Sequence, residues 1–91
     1  MYSTYIIKSQ NFNRYYIGST EDFENRLNQH NNGQVISTKK FRPWVSVYKE
    51  NFLTRTEARK REIQIKSYKG GQAFKKLLIR AGTQAVNEDR L

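Results

Sequence analysis

The chain contains no cysteine and only one histidine. Disulfides, thiolate metal sites and a structural zinc cluster are therefore excluded. Long apolar runs are also missing. The opening stretch Met1-Tyr2-Ser3-Thr4-Tyr5-Ile6-Ile7-Lys8 is too short for a secretory signal, and no segment approaches the ~20 apolar residues of a membrane-spanning helix. The chain is expected to stay in the cytoplasm. Apolar residues are scarce altogether, at 36% with a mean hydropathy of −0.90. Ninety-one residues suffice for one domain with one modest core, and a core that small usually needs good packing or a covalent staple. With no staple to hand, packing must serve, and the 13% of aromatic residues supply its bulk. Acidic residues are also few, 8 against 17 basic, giving a net charge of +9 and a pI near 10.0. Such an excess favours a polyanionic partner, because each lysine or arginine set against a phosphate releases condensed counterions. A solubility charge, a ribosome-type surface and an anionic membrane are the alternatives.

What is present reads as a short series of elements. Tyr2 to Lys8 and Arg14 to Thr20 are rich in β-branched and aromatic residues. The polar Gln10-Asn11-Phe12-Asn13 between them suits a turn, so the spacing predicts a β-hairpin. Ser19, Thr20 and Asp22 offer N-caps for a helix from about Asp22 to Asn31, with Glu21, Asp22 and Glu24 at its positive end. Phe23, Leu27 and His30 share one face of that helix, and Asn31-Asn32-Gly33 stops it. Gln34 to Pro43 reads as a basic loop, and Trp44 to Tyr48 as a third strand that could reach Phe52. Thr54-Arg55-Thr56-Glu57 has capping-box spacing before a helical run from Ala58 to Lys69. Gly70-Gly71 breaks it. Gln72 to Ala81 forms a last amphipathic helix with Phe74, Leu77 and Leu78 on one side, ended by Gly82. The expected order is ββαβαα, an α/β (α+β) domain with a small three-stranded antiparallel sheet flanked by helices. The domain is expected over residues 1–82, with a tail over 83–91.

Four short patterns now stand in order along the chain. Ser3-Thr4-Tyr5 is followed by Tyr16-Ile17-Gly18. Gly18-Ser19-Thr20-Glu21-Asp22-Phe23-Glu24-Asn25-Arg26 then leads to His30, and Arg61-Glu62-Ile63-Gln64-Ile65-Lys66 closes the series. Together, at these separations, they resemble the GIY-YIG endonuclease family, small stand-alone bacterial type, over almost everything from Tyr2 to about Leu78. The second signature is intact. The first is degenerate, keeping the tyrosine but carrying Ser3-Thr4 where the family often has Gly-Ile.

The resemblance implies metal-dependent hydrolysis of DNA phosphodiester bonds, on a structure-specific or weakly sequence-specific substrate. Tyr5 is then the general base for water, directly or through a relay. An ordinary phenol titrates near ~10, so at neutral pH it starts roughly 4 kcal/mol short of that role. Tyr16 orients water or phosphate from the adjacent strand. Arg26 clamps phosphate with its planar fork, and His30, one turn on along the same face, donates to the phosphate or moves a proton. Glu62 holds one divalent ion, Mg2+ or Mn2+, which takes oxygen ligands. Lys39, Lys40, Arg42 and Lys66 are candidates for touching nucleic acid, and Gly18 is structural, allowing a close turn from strand to helix. Each has a plainer reading. Tyr5 could be a packed strand tyrosine, Arg26 and Glu62 ordinary ion pairs, His30 a favourable helix end, and Trp44 core rather than a base-stacking platform. A catalytically weak or inactive nucleic-acid-binding module is the competing function. DNA, branched or damaged, is the expected partner; RNA remains open, as does oligomeric state.

Overall fold

The computed structural model describes residues 1–86, with side chains through residue 80. β1 (Tyr2–Ser9) and β2 (Tyr15–Thr20) form the expected antiparallel hairpin, with Tyr5 opposite Gly18 and Ile7 opposite Tyr16. Ser9 closes its turn. The Ser9 hydroxyl accepts from the backbone N–H groups of Asn11 and Phe12 at 3.3 and 3.1 Å, and its own N–H donates to the Arg14 carbonyl. β3 (Trp44–Phe52) runs antiparallel along the other side of β1, so the strand order is β2-β1-β3.

β1 is therefore the central strand, and every side chain from Ser3 to Ile7 is buried. Alternation divides those side chains between the two faces of the sheet. Tyr5 and Ile7 pack with Phe23 and Trp44 on one face. Ile6 packs with Ile65, Phe74 and Leu77 on the other. A chain poor in apolar residues thus builds two small cores that share one strand.

Capping sets the helix starts. α1 (Phe23–Asn31) begins after Asp22, whose carboxylate accepts from the Asn25 N–H at 3.1 Å. α3 (Arg55–Ser67) begins after Thr54, whose hydroxyl accepts from the Glu57 N–H at 3.2 Å. It starts three residues earlier than the helical run from Ala58 suggests, because the cap lies at Thr54. It also ends earlier, with Tyr68 as C-cap and Lys69 and Gly70 at φ of 50° and 74° turning the chain away. α4 (Gln72–Val86) runs past Gly82, where the sequence predicts a stop. A glycine inside a helix costs only about 1 kcal/mol relative to alanine, which need not end it. Of the expected tail over 83–91, residues 87–91 lie outside the described residues. No described helix is long and apolar enough to cross a membrane.

One element was not predicted. Residues Ile36–Lys39 form a short helix, α2, inside the segment read as a loop. Its residues have no strong helical preference, and it is held from outside. The Trp44 indole N–H donates to the Thr38 carbonyl at 2.9 Å. The Asn31 side chain joins the end of α1 to Trp44, donating to its carbonyl at 3.0 Å and accepting its N–H at 2.6 Å. Thr38 is itself buried.

Candidate active site

Tyr5 lies near the middle of the face shared with α1 and is only 1% exposed. Its ring packs against Phe23, Tyr16 and His30, with centroids 5.3, 6.3 and 5.9 Å away. The hairpin register makes Tyr5 and Tyr16 diagonal rather than direct cross-strand neighbours, since Tyr5 faces Gly18. That glycine does not serve the strand-to-helix turn suggested by the sequence. It lies within β2, and a Cβ there would come 2.7 Å from Tyr5 Oη and 3.1 Å from Tyr16 Cε2. Gly18 makes room for the phenol.

The Tyr5 hydroxyl meets His30 Nε2 at 3.0 Å. On the far side of the imidazole, Nδ1 meets Thr38 Oγ1 at 2.8 Å, and the Thr38 hydroxyl reaches the Val35 carbonyl at 3.3 Å. His30 is wholly buried, so it does not act as an exposed charge at the end of a helix. Burial first, and then the positive charge of Arg26, pull its pKa down to about 4. The ring is neutral at neutral pH. Burial and the adjacent Tyr16 push the Tyr5 pKa above the ordinary phenol value; Arg26 opposes this and Glu62 adds to it. Both groups are buried in the form that carries no charge, as desolvation favours.

Arg26 is half-buried on α1; its backbone N–H donates to the Asp22 carbonyl, and no hydrogen bond or ion pair engages its guanidinium among the described residues. It lines an open cleft with Gln29, Gln34, Val35, Ile36 and Ser37, between α1 and α2. An arginine with its fork unspent beside a neutral phenol–imidazole pair can receive an anionic oxygen.

Glu62 comes from α3, which packs on the opposite face of the sheet but also along β2, the edge strand. Its side chain is 15% exposed. One oxygen accepts from the Ser19 hydroxyl at 2.7 Å and the other from the Lys66 ammonium at 2.7 Å. Ser19 directly follows Gly18, so the glutamate is tied to the strand on which the Tyr5 phenol rests. Tyr5, Tyr16, Arg26 and His30 thus gather on one face, while Glu62 reaches β2 through Ser19, whose side chain alternates to the face opposite Gly18. Glu62 is half-buried and ion-paired with Lys66, which matches the plainer of the two readings open from sequence.

The basic candidates separate on inspection. Lys39 and Lys40 are exposed at the end of α2. Arg42 is exposed, but its Nε donates to the Lys39 carbonyl at 2.8 Å, so part of its capacity closes the end of α2. Lys66 belongs to Glu62. The altered first signature is absorbed structurally: the Ser3 hydroxyl donates to Asn51 Oδ1 and the Thr4 hydroxyl to the Ala58 carbonyl, at 2.7 and 2.6 Å. Neither bond involves the Tyr5 oxygen. Three further residues escaped sequence reading. Ser19 and Thr38 carry hydroxyls that touch site residues; Lys49 stands opposite Tyr5 on β3, with its ammonium 5.2 Å from the Phe23 ring centre. Only Lys49 had a signal, since strand pairing could have placed it beside Tyr5.

Comparison with known proteins gives the family. Residues 1–75 match the GIY-YIG catalytic domain. The chain is 45% identical over 65 residues to a UPF0213 protein of Staphylococcus saprophyticus, covering 70% of this chain and 78% of the relative. It is 42% identical over 72 residues to a UPF0213 protein of Staphylococcus epidermidis, covering 78% and 87%. A third, from Staphylococcus haemolyticus, is 40% identical over the same length and coverage. No solved structure matches significantly. With the family match spanning most of the chain, and the tyrosines, arginine and histidine of its signatures meeting on one face, the protein belongs to the GIY-YIG family.

Proposed function

We propose that this domain is a divalent-metal-dependent endonuclease that hydrolyses DNA phosphodiester bonds by attack of water. The observation that carries the reading is the 3.0 Å hydrogen bond between Tyr5 Oη and His30 Nε2, beside an arginine unpaired among the described residues. A buried phenol whose pKa is raised is not a phenolate at neutral pH. Tyr5 therefore works as a relay, taking a proton from water while its own proton passes to His30 Nε2. The charge of Arg26 is one reason His30 is a weak base. A phosphate against Arg26 offsets that charge, so substrate binding strengthens the base at the moment it is needed.

Glu62 is the residue that would hold the metal, with the Ser19 hydroxyl beside it. No cluster of three metal-binding side chains occurs among the described residues. A single carboxylate nonetheless suits magnesium or manganese, because Mg2+ commonly keeps several waters and binds through one or two carboxylates plus substrate phosphate. The ammonium of Lys66 already holds one Glu62 oxygen, so a metal would have to share the carboxylate with it or displace it. When bound, such an ion supplies Lewis-acid stabilisation to the phosphate oxygens.

The surplus of nine positive charges favours a phosphate backbone as partner. A domain of this size offers little surface for reading groove edges, so branched, damaged or otherwise distorted DNA is the favoured substrate. Nicking of supercoiled, branched and single-stranded DNA, and of RNA, under titration with Mg2+ and Mn2+ tests the proposal. Wild type should cut, and Glu62→Ala should bind equally well without cutting. Equal cleavage by both would remove Glu62 from the mechanism. The pairing of Glu62 with Lys66 favours a second reading, a binding module without useful catalysis. Salt-sensitive binding with no product on any substrate would establish it.

A further inference from the structure

We propose that Thr38 is a positioning residue that fixes the tautomer of His30, so that Nε2 is the bare nitrogen facing Tyr5. The inference rests on the nuclease reading for its catalytic meaning, but its structural content stands on matching each buried donor to an acceptor.

A hydroxyl has one proton to give. The Thr38 hydroxyl lies 3.3 Å from the Val35 carbonyl, which can take its proton beside the backbone N–H groups of Thr38 and Lys39 that it also accepts. Thr38 Oγ1 can then accept from His30 Nδ1 at 2.8 Å, and the other end of the run sets the choice, because the Tyr5 hydroxyl has no acceptor among the described residues besides Nε2. A neutral imidazole carries one N–H, and placing it on Nδ1 leaves Nε2 with a lone pair. That lone pair takes the hydrogen of Tyr5 Oη at 3.0 Å. The run is directional throughout: phenol to imidazole, imidazole to threonine, threonine to backbone.

Each link is buried. Tyr5, His30 and Thr38 are 1%, 0% and 1% exposed. At His30 and Thr38 water cannot readily replace a missing partner, which makes that part of the arrangement strict. The backbone of Thr38 is held in turn by the Trp44 indole at its carbonyl. This accounts for a four-residue helix with little preference of its own: its job is to present one hydroxyl to the imidazole. The groups facing His30 are Tyr5 and Tyr16 from the sheet, Arg26 from its own helix, and Thr38. None besides Thr38 is placed to accept from Nδ1. The reverse tautomer would put an N–H on Nε2 against the Tyr5 hydroxyl and leave the phenol proton without its acceptor, stopping the relay.

Nitrogen–proton correlation spectra of the isotope-labelled full chain at neutral pH distinguish a protonated ring nitrogen from a bare one. Wild-type His30 should show Nδ1 protonated and Nε2 bare; a dominant Nε2–H form would overturn the proposal. Thr38→Val keeps the side-chain shape and removes the acceptor. It should give mixed or reversed tautomers, with kcat for nicking down about tenfold or more and KM changed by less than about twofold. Thr38→Ser should restore both readouts. A Thr38→Val protein with wild-type tautomer and wild-type kcat would also overturn it. Should that variant not fold, the wild-type spectrum decides. If wild type cuts nothing, the nuclease reading falls while the tautomer result stands.

Discussion

Gly18 lies against the Tyr5 phenol so closely that a methyl group on it would sit 2.7 Å from Oη and 2.9 Å from Cζ. The neighbour that would have to give way is a wholly buried ring, not the loose end of a flexible side chain. Gly18→Ala should therefore cost about 1–3 kcal/mol through overpacking, and move the phenol from His30. A lowered denaturant midpoint together with a nicking rate reduced about tenfold or more is expected. An alanine variant matching wild type in both would show that the ring has room to spare.

Acid should weaken the fold through His30. Its pKa is about 4 in the folded protein against an ordinary 6.5, so the unfolded chain binds a proton first as the pH falls. The stability carried by the neutral ring is complete above about 6.5 and is lost progressively toward pH 4. The span corresponds to on the order of 3 kcal/mol. Unfolding of wild type and His30→Gln across this range checks it. The glutamine variant, with nothing to titrate at that position, should lose less stability on acidification.

Lys66 competes with any cation for Glu62. Their pair is a partly exposed i,i+4 bridge, of the kind typically worth 0.2–1 kcal/mol. Lys66→Met should tighten apparent Mn2+ affinity by roughly two- to fivefold, as measured by titration calorimetry. Weaker metal binding in the variant would mean that the lysine assists the site instead of plugging it.

The exposed pair Lys39 and Lys40 should act through phosphate alone. Replacing both by alanine should lower the salt dependence of DNA binding by about two counterions, at ~0.9 each in the logarithmic slope. An unchanged slope would place the bound strand elsewhere on the surface.

Away from the site, Glu50 accepts from the Tyr48 hydroxyl at 2.6 Å and from Arg61 Nε at 2.9 Å. Glu50→Ala strands both donors, which should destabilise by about 1–3 kcal/mol. Nicking by the folded fraction should be unaffected. A change in rate would couple this network to catalysis.

Much of this arrangement is visible in the sequence where the cause is local. Caps at Asp22 and Thr54, alternation through β1 and the i,i+4 spacing of Arg26 and His30 each act within a few residues. The hairpin register and the side of the sheet taken by Glu62 are settled by partners distant along the chain, and there the sequence offered only the family's ordering. α2 was illegible for the same reason: Ile36–Lys39 gains its form from Trp44 and His30, and no pattern within the segment announces it. The role of Gly18 was misjudged because glycine suits both a turn and a close approach. Only the packed neighbour distinguishes them.

β1 buries five successive side chains, alternate ones serving opposite faces. The oxygen proposed to do chemistry and the methyls that keep the domain solid thus hang from the same short ribbon, one residue apart. Adjusting one almost inevitably disturbs the other. Room for variation between relatives should therefore lie at the margins, in the hairpin tip, the outward side of α2 and the exposed flank of α3, where a new preference for substrate can arise without loosening the middle.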